Sequence, residues 1–92
     1  MELQINDKVF QGVSVELPVA PLLIIKSDKG FLACGYVQID TASRLGEVAA
    51  IVTGVSDFDD MLNAPIKFLS EKAKATLSLP ENPTGKDFLL AL

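Results

Sequence analysis

The segment from Asp28 to Leu62 constrains the fold of this chain more than any other part of it. It holds the only cysteine, the only tyrosine and four of the six glycines, and two helix-start signals flank one apolar run. That run, Val48 to Val52, is apolar at each of its five positions. Because a helix that is apolar all round is usually longer, the run predicts a buried strand.

The residues before this run predict a crossover between two strands. Asp40 or Thr41 is a suitable N-cap for a short helix over Thr41 to Leu45, and Gly46 is suited to end it. Phe31 to Val37 has the length and composition of a preceding strand. Strand, helix and buried strand in this order predict a right-handed connection between parallel neighbours.

The first third of the chain predicts antiparallel strands. Leu3 and Ile5 alternate with polar residues, and the turn-forming pair Asn6–Asp7 follows them. Gly12 in the next strand predicts a bulge or a close backbone approach. Pro18 and Pro21 then interrupt the pairing. Leu22–Ile25 is a continuous apolar run, typical of a strand covered on both faces, and Ser27–Gly30 is a tight-turn sequence with Gly30 in the left-handed position.

The last third predicts short helices around one edge strand. The first predicted helix starts at Ser56 with Asp59 and buries Phe58, Met61 and Leu62. An edge strand over Pro65–Leu69 follows it. Two further helices are predicted, one capped by Ser70 and reaching about Ala75, and one capped by Thr84 with Asp87 and ending at Leu92. We therefore predict one domain over residues 1–92 with a mixed α+β fold of the α/β type. Its mixed sheet combines an N-terminal β-hairpin region with alternating short helices and strands, in the order β-β-β-β-α-β-α-β-α-α.

Composition excludes several classes of function. With 92 residues, 49% of them apolar, the chain is small for its apolar content, which favours burial of some surface between subunits. A net charge of −4 without any basic cluster argues against nucleic acid and anionic membrane partners. The N-terminus lacks a signal-peptide core, no run is long enough to span a bilayer, and a lone cysteine fits a reducing compartment, so we expect a cytoplasmic protein.

Histidine is absent, which removes the usual general base, the imidazole metal ligand and every Ser-His or Cys-His nucleophile pair. We expect no cofactor and no metal. The acidic residues Asp57, Asp59 and Asp60 could hold a hard cation, but Asp59 points away from the other two on a helix. A helix start that complements the helix dipole is the favoured interpretation.

Cys34 is the candidate nucleophile or redox thiol, although a small buried hydrophobe is the commoner role of a free cysteine. Gly35 beside it would let a ligand approach, and Tyr36 would line the same pocket. The loop after the buried strand supplies Thr53, Gly54 and Ser56, because strand-to-helix loops line ligand crevices in such sheets. A nucleotide is disfavoured there, since the nearby aspartates would repel its phosphates.

A stripe of apolar residues is the best candidate for an interaction surface. A two-stranded hairpin is unstable alone, so its apolar face must lie on the core or on another subunit. The predicted interface residues alternate along the second strand: Val9, Val13, Val15 and Leu17.

Three segments, KGFLACGYVQI, LGEVAAIVTGVSDFDDMLNA and TGKDFLLAL, resemble the YunC-like family of bacterial and archaeal proteins, a domain of unknown function. The resemblance covers nearly the whole chain, and its CGY and LG-x-VAAIV-x-GV segments are the most specific. It implies a tetramer whose interface is the N-terminal β region, roughly residues 1–17. It implies no catalytic residues. The family is glycine-rich where this chain reads TLSLPENP.

The leading hypothesis is therefore a non-catalytic domain that forms a homo-oligomer, with a tetramer expected, and that binds a small molecule near Cys34 and the Thr53–Ser56 loop. The alternative is a small enzyme that uses Cys34 as a nucleophile or redox thiol. A third hypothesis is a subunit of a larger complex.

Overall fold

The computed structural model describes the whole chain, Met1–Leu92. One six-stranded sheet, with its strands in chain order from edge to edge, carries four helices and confirms the predicted mixed α+β class and element order. The elements are β1 (Glu2–Ile5), β2 (Lys8–Val15), β3 (Leu22–Lys26), β4 (Phe31–Ala33), α1 (Ile39–Leu45), β5 (Ala49–Ile51), α2 (Phe58–Asn63), β6 (Phe68–Leu69), α3 (Glu71–Thr76) and α4 (Gly85–Ala91).

The predicted parallel pair is present. β4 and β5 pair in parallel and are joined through α1, whereas all other neighbouring strands are antiparallel. Gly46 ends α1 in the left-handed conformation, with φ of 78°, as predicted. The predicted N-cap was wrong: α1 begins at Ile39 after Gln38, whose side chain makes no capping bond. Asp40 instead lies in the first turn, where its charge complements the helix dipole.

The inner face of the sheet forms the main core. Residues paired directly across strands share a face, so Gly12, Ile25, Leu32 and Ala50 form one inner row. The helices bury fully enclosed side chains against this face: Met61 of α2 and Phe88 and Leu89 of α4. Gly12 makes the predicted close approach, because a Cβ atom there would lie 2.9 Å from the Phe58 ring.

The outer face is covered only at one end. Its central row contains Val13, Ile24, Ala33 and Ile51, in that order from β2 to β5. α1 contacts β5, and Ala33 and Ile51 are buried. Over β2 and β3, Val13 is 39% exposed and Ile24 is half-buried. The prediction that Leu22–Ile25 is covered on both faces was therefore wrong for the outward-facing residues.

Two strands are shorter than predicted. β4 stops at Ala33, so the expected strand over Phe31–Val37 was too long, and Gly35 and Tyr36 form a turn. β6 contains only Phe68–Leu69 of the expected Pro65–Leu69.

Gly30 also departs from its predicted role. The left-handed conformation expected there was wrong, because the non-glycine residues with positive φ are Asn6 and Asn82 and the glycines are Gly46 and Gly54. Gly30 is required for another reason: a Cβ atom there would overlap the carbonyl oxygen of Val48.

The remaining helices begin at side-chain caps. Ser70 accepts from the Ala73 N–H, and Thr84 forms a capping box with Asp87, both as predicted. Asp57 rather than Ser56 caps α2 by accepting from the Asp60 N–H at 2.8 Å. None of the four helices is long and apolar enough to cross a membrane.

Candidate functional site

An uncovered apolar surface lies on the outer face of β2 and β3. We call it the hairpin patch and define it by Val13, Val15, Leu17, Leu22 and Ile24. Val13 pairs directly with Ile24, and Val15 pairs with Leu22, so these four side chains form two adjacent rows. Val15 is 43% exposed and Leu17 is 38% exposed. An exposed apolar cluster of this kind marks an interaction surface in soluble proteins.

A polar row borders the hairpin patch. Glu2 of β1 pairs with Gln11 of β2, and Gln11 pairs with Lys26 of β3, so the three side chains cross the same outer face. All three are exposed. The row separates Val9, which is 55% exposed, from the rest of the predicted interface stripe. The predicted stripe is therefore exposed throughout, but it is divided into two parts.

The second candidate site is a cavity of about 300 Å³ at the end of β4. Its walls bring together residues from three separate loops, because β3 begins beside the ends of β4 and β5. Four of its lining residues belong to the predicted ligand-binding set: Cys34, Gly35, Tyr36 and Gly54. Ala20, Pro21 and Val55 complete the wall. We call this space the Cys34 cleft.

Hydrogen bonds fix two side chains of the Cys34 cleft. The Tyr36 hydroxyl donates to the carbonyl oxygen of Ala20 at 3.3 Å, which ties the turn after β4 to the β2–β3 connection. The Cys34 Sγ accepts from the Leu23 N–H at 3.4 Å, and Cys34 is only 4% exposed. The thiol therefore has a structural role in the β3–β4 contact, and little of it is open to solvent.

Two predicted site residues lie outside the Cys34 cleft. Thr53 lines a neighbouring cavity of about 380 Å³ on the outer face, together with Ile51 and Phe68, and Gly35 lines both spaces. Ser56 lies at the start of α2, where its N–H donates to Asp60 Oδ2 at 2.9 Å. The structure therefore brings together the Cys34–Tyr36 turn and Gly54 but not the whole Thr53–Ser56 loop.

The acidic cluster at α2 serves the helix itself. The Asp57 and Asp60 carboxylates accept backbone N–H groups at the helix start. No group of three acidic or thiol side chains converges on a point that could hold a metal ion. The interpretation of these residues as a helix start is confirmed.

Comparison with known proteins identifies the family. The sequence profile of DUF1805, a domain of unknown function, matches residues 33–92. The chain belongs to the DUF1805 family. The match begins at Ala33, the last residue of β4, and contains the Cys34 cleft residues of the following turn and every later element of the fold. The hairpin patch lies before it and so is not part of the profile match.

Relatives of this DUF1805 protein extend over the remaining residues. The chain is 26% identical over 94 aligned residues to the uncharacterized protein YunC of Bacillus subtilis strain 168, covering 98% of this chain and 92% of that protein. This confirms the YunC-like resemblance. The crystal structure of TA1206, a protein of unknown function from Thermoplasma acidophilum, matches with a TM-score of 0.88 and 32% identity, covering 97% of this chain and 86% of that one. The hairpin region is thus shared with a solved structure.

Proposed function

We propose that this DUF1805 protein is a non-catalytic domain that assembles with copies of itself through the hairpin patch, as a homotetramer. The observation that carries the proposal is the exposure of Val13 and Val15 on the part of the outer sheet face, over β2 and β3, that α1 does not cover. A row of valines on a pleated surface favours contact with a similar flat surface, and a second copy supplies one.

A tetramer needs two kinds of two-fold interface if its symmetry is dihedral. A second exposed apolar surface lies at the opposite end of the outer face, where Phe68, which is 48% exposed, lines a cavity with Val37 and Ile39. This second surface supports four copies rather than two. A domain of 92 residues buries only a modest fraction of its surface on folding, so burial at both surfaces would add stability.

Size-exclusion chromatography with light scattering tests the proposal at tens of micromolar protein. The expected mass is about 40 kDa, which is four times the 9.9 kDa of one chain. A mass of one chain over this whole concentration range would contradict self-assembly. A dimer would support self-assembly through one surface and contradict the tetramer.

The Cys34 cleft supports a second function, the binding of a small and largely apolar metabolite. Its volume of about 300 Å³ is at the lower end of the range for ligand pockets. The phenol of Tyr36, which is 52% exposed, and the backbone of Gly35 provide the polar contacts. NMR screening of small metabolites tests this second function. A ligand should shift the amide signals of Gly35 and Gly54, and Tyr36→Ala should weaken the binding of that ligand.

The alternative of an enzyme with Cys34 as nucleophile or redox thiol has weaker support. Cys34 is 4% exposed and its sulfur already accepts a backbone hydrogen bond, whereas a reactive thiol needs access and a nearby cation. Rapid alkylation of Cys34 in the folded protein would favour the enzyme over the binding domain.

A further inference from the structure

The hairpin patch and its polar row form a pattern that restricts how a second copy can pack on it. On β2 and β3 the rows are Val15–Leu22, Val13–Ile24 and Gln11–Lys26, and Glu2 of β1 extends the last row. Neighbouring strands lie about 4.8 Å apart, and neighbouring rows on one face lie about 7 Å apart. The charges therefore stand at one end of an apolar surface, with Glu2 and Lys26 on opposite sides of Gln11.

The two charges of the polar row have no partner within their own chain. Glu2 and Lys26 are both exposed, and neither side chain takes part in a hydrogen bond. The ion pair of the structure, Lys74 with Glu71, lies on α3. Both charges are thus available to a second molecule.

Two identical faces that pack together are related by a two-fold axis lying between them. An axis that crosses the strands at Val13 and Ile24 would place Lys26 over the partner's Leu22. The same axis would place Gln11 over the partner's Val15. Each polar group would then be covered by an apolar side chain and lose water without gaining a partner, which is unfavourable.

An axis parallel to β2, above the gap between β2 and β3, has the opposite result. Val13 then lies over the partner's Ile24, and Val15 lies over the partner's Leu22, so apolar rows meet apolar rows. Lys26 lies over the partner's Gln11, about 4.8 Å, one strand spacing, from the partner's Glu2. Packed sheets are also rotated by roughly 30°, which displaces this row by roughly 3–4 Å. Flexible Lys and Glu side chains span such distances.

We propose that two copies of this chain pack through their hairpin patches about a two-fold axis parallel to β2, with Glu2 of each copy paired to the partner's Lys26. The proposal rests on the self-assembly proposed above and adds the symmetry axis and register of the contact. Charge complementarity selects this axis over the one that crosses the strands, and the two equivalent ion pairs form at the rim of the apolar contact.

Charge reversal tests the register. Glu2→Lys and Lys26→Glu each place like charges together twice in a dimer, so each single variant should raise the dissociation constant of the hairpin contact about tenfold. The double variant Glu2→Lys/Lys26→Glu restores opposite charges and should return the constant to within about twofold of the starting protein. Sedimentation velocity measures the constant, and high salt should reduce the differences between variants.

Two exposed residues away from the sheet face provide matched controls. Glu81→Lys and Lys72→Glu make the same changes in net charge on the late loop and on α3, and they should leave the constant unchanged. If the starting protein is monomeric, both the proposed function and this register are wrong. If it assembles but the single variants bind as tightly as the controls, or the double variant fails to recover, self-assembly stands and this register is wrong.

Discussion

The hydroxyl of Ser70 donates a hydrogen bond of 2.7 Å to the backbone carbonyl oxygen of Glu47. The hydroxyl oxygen of Ser70 also accepts from the N–H of Ala49 at 3.0 Å and from the N–H of Ala73 at 3.2 Å. Ser70 is completely buried. One side chain thus caps α3 and fixes it to the start of β5, at the end of the crossover from β4.

Replacing Ser70 with alanine should lower the free energy of unfolding by about 2–4 kcal/mol. The loss combines a helix cap, worth about 1 kcal/mol, with a buried Ala49 N–H that is left without an acceptor. Urea denaturation measures it. Ser78→Ala, in the exposed loop after α3, is the matched control and should change stability by less than about 0.5 kcal/mol. Equal stabilities of the two variants would contradict the role of Ser70.

Gly85 should not tolerate alanine. It is the first residue of α4 and is buried, and a Cβ atom there would overlap the backbone carbonyl oxygen of Met61 and lie 2.8 Å from Leu32 Cδ2. We expect Gly85→Ala to cost more than about 3 kcal/mol or to prevent folding, because α4 must move away from α2. Gly35→Ala is the control. The atom nearest to the added Cβ is Thr53 Cγ2 at 3.5 Å, an ordinary contact, so the melting temperature measured by circular dichroism should change little. A stable Gly85→Ala protein would contradict this packing.

Local chemistry made much of the fold predictable from the sequence. Gly46, Ser70 and Thr84 each bond the backbone at an end of their own helix, so these helix ends could be recognised from the local sequence, whereas the bonds from Ser70 to Glu47 and Ala49 could not. The end of β4 could not be predicted in this way. The apolar pattern continues to Val37, but the antiparallel partner β3 begins only at Leu22, after the interruption at Pro21, so the ladder runs out beside Cys34.

The candidate sites could be predicted only where their residues are recognisable from the local sequence. The sequence indicated Gly54 and the Cys34–Tyr36 turn, because glycines and a lone thiol are visible locally. It did not indicate Ala20, which reaches the Cys34 cleft through the pairing of β3 with β4. The exposure of Ile24 was also missed, since a continuous apolar run does not reveal that α1 covers only the β5 end of the outer face.

The hairpin patch should be sensitive to charge. Val13→Asp places a carboxylate at the centre of the proposed contact, where no cation faces it, and should raise the dissociation constant at least about 100-fold. Light scattering at a series of concentrations measures the change, and circular dichroism checks that the fold is kept. Val19→Asp is the control: Val19 is 94% exposed in the β2–β3 connection, so the same substitution there should leave assembly intact. An unchanged oligomer for Val13→Asp would exclude the hairpin patch as the contact.

Cys34 should react slowly with alkylating reagents. Its sulfur is enclosed in the core and faces the Leu23 N–H, so iodoacetamide can reach it only when the β3–β4 region opens. We expect the rate in the folded protein to be at least about 100-fold below the rate in concentrated urea. Mass spectrometry of timed samples measures both rates.

An exposed thiol in the same region provides the reference for that rate. The variant Cys34→Ala/Tyr36→Cys moves the only cysteine to a position that is 52% exposed in the parent protein, and it should be alkylated nearly as fast folded as unfolded. If native Cys34 reacts within about threefold of this variant, the thiol is accessible in the folded state. That outcome would contradict the structural role of the thiol and make the Cys34 cleft a candidate active site. Slow alkylation would instead support a binding pocket with a buried thiol in its wall.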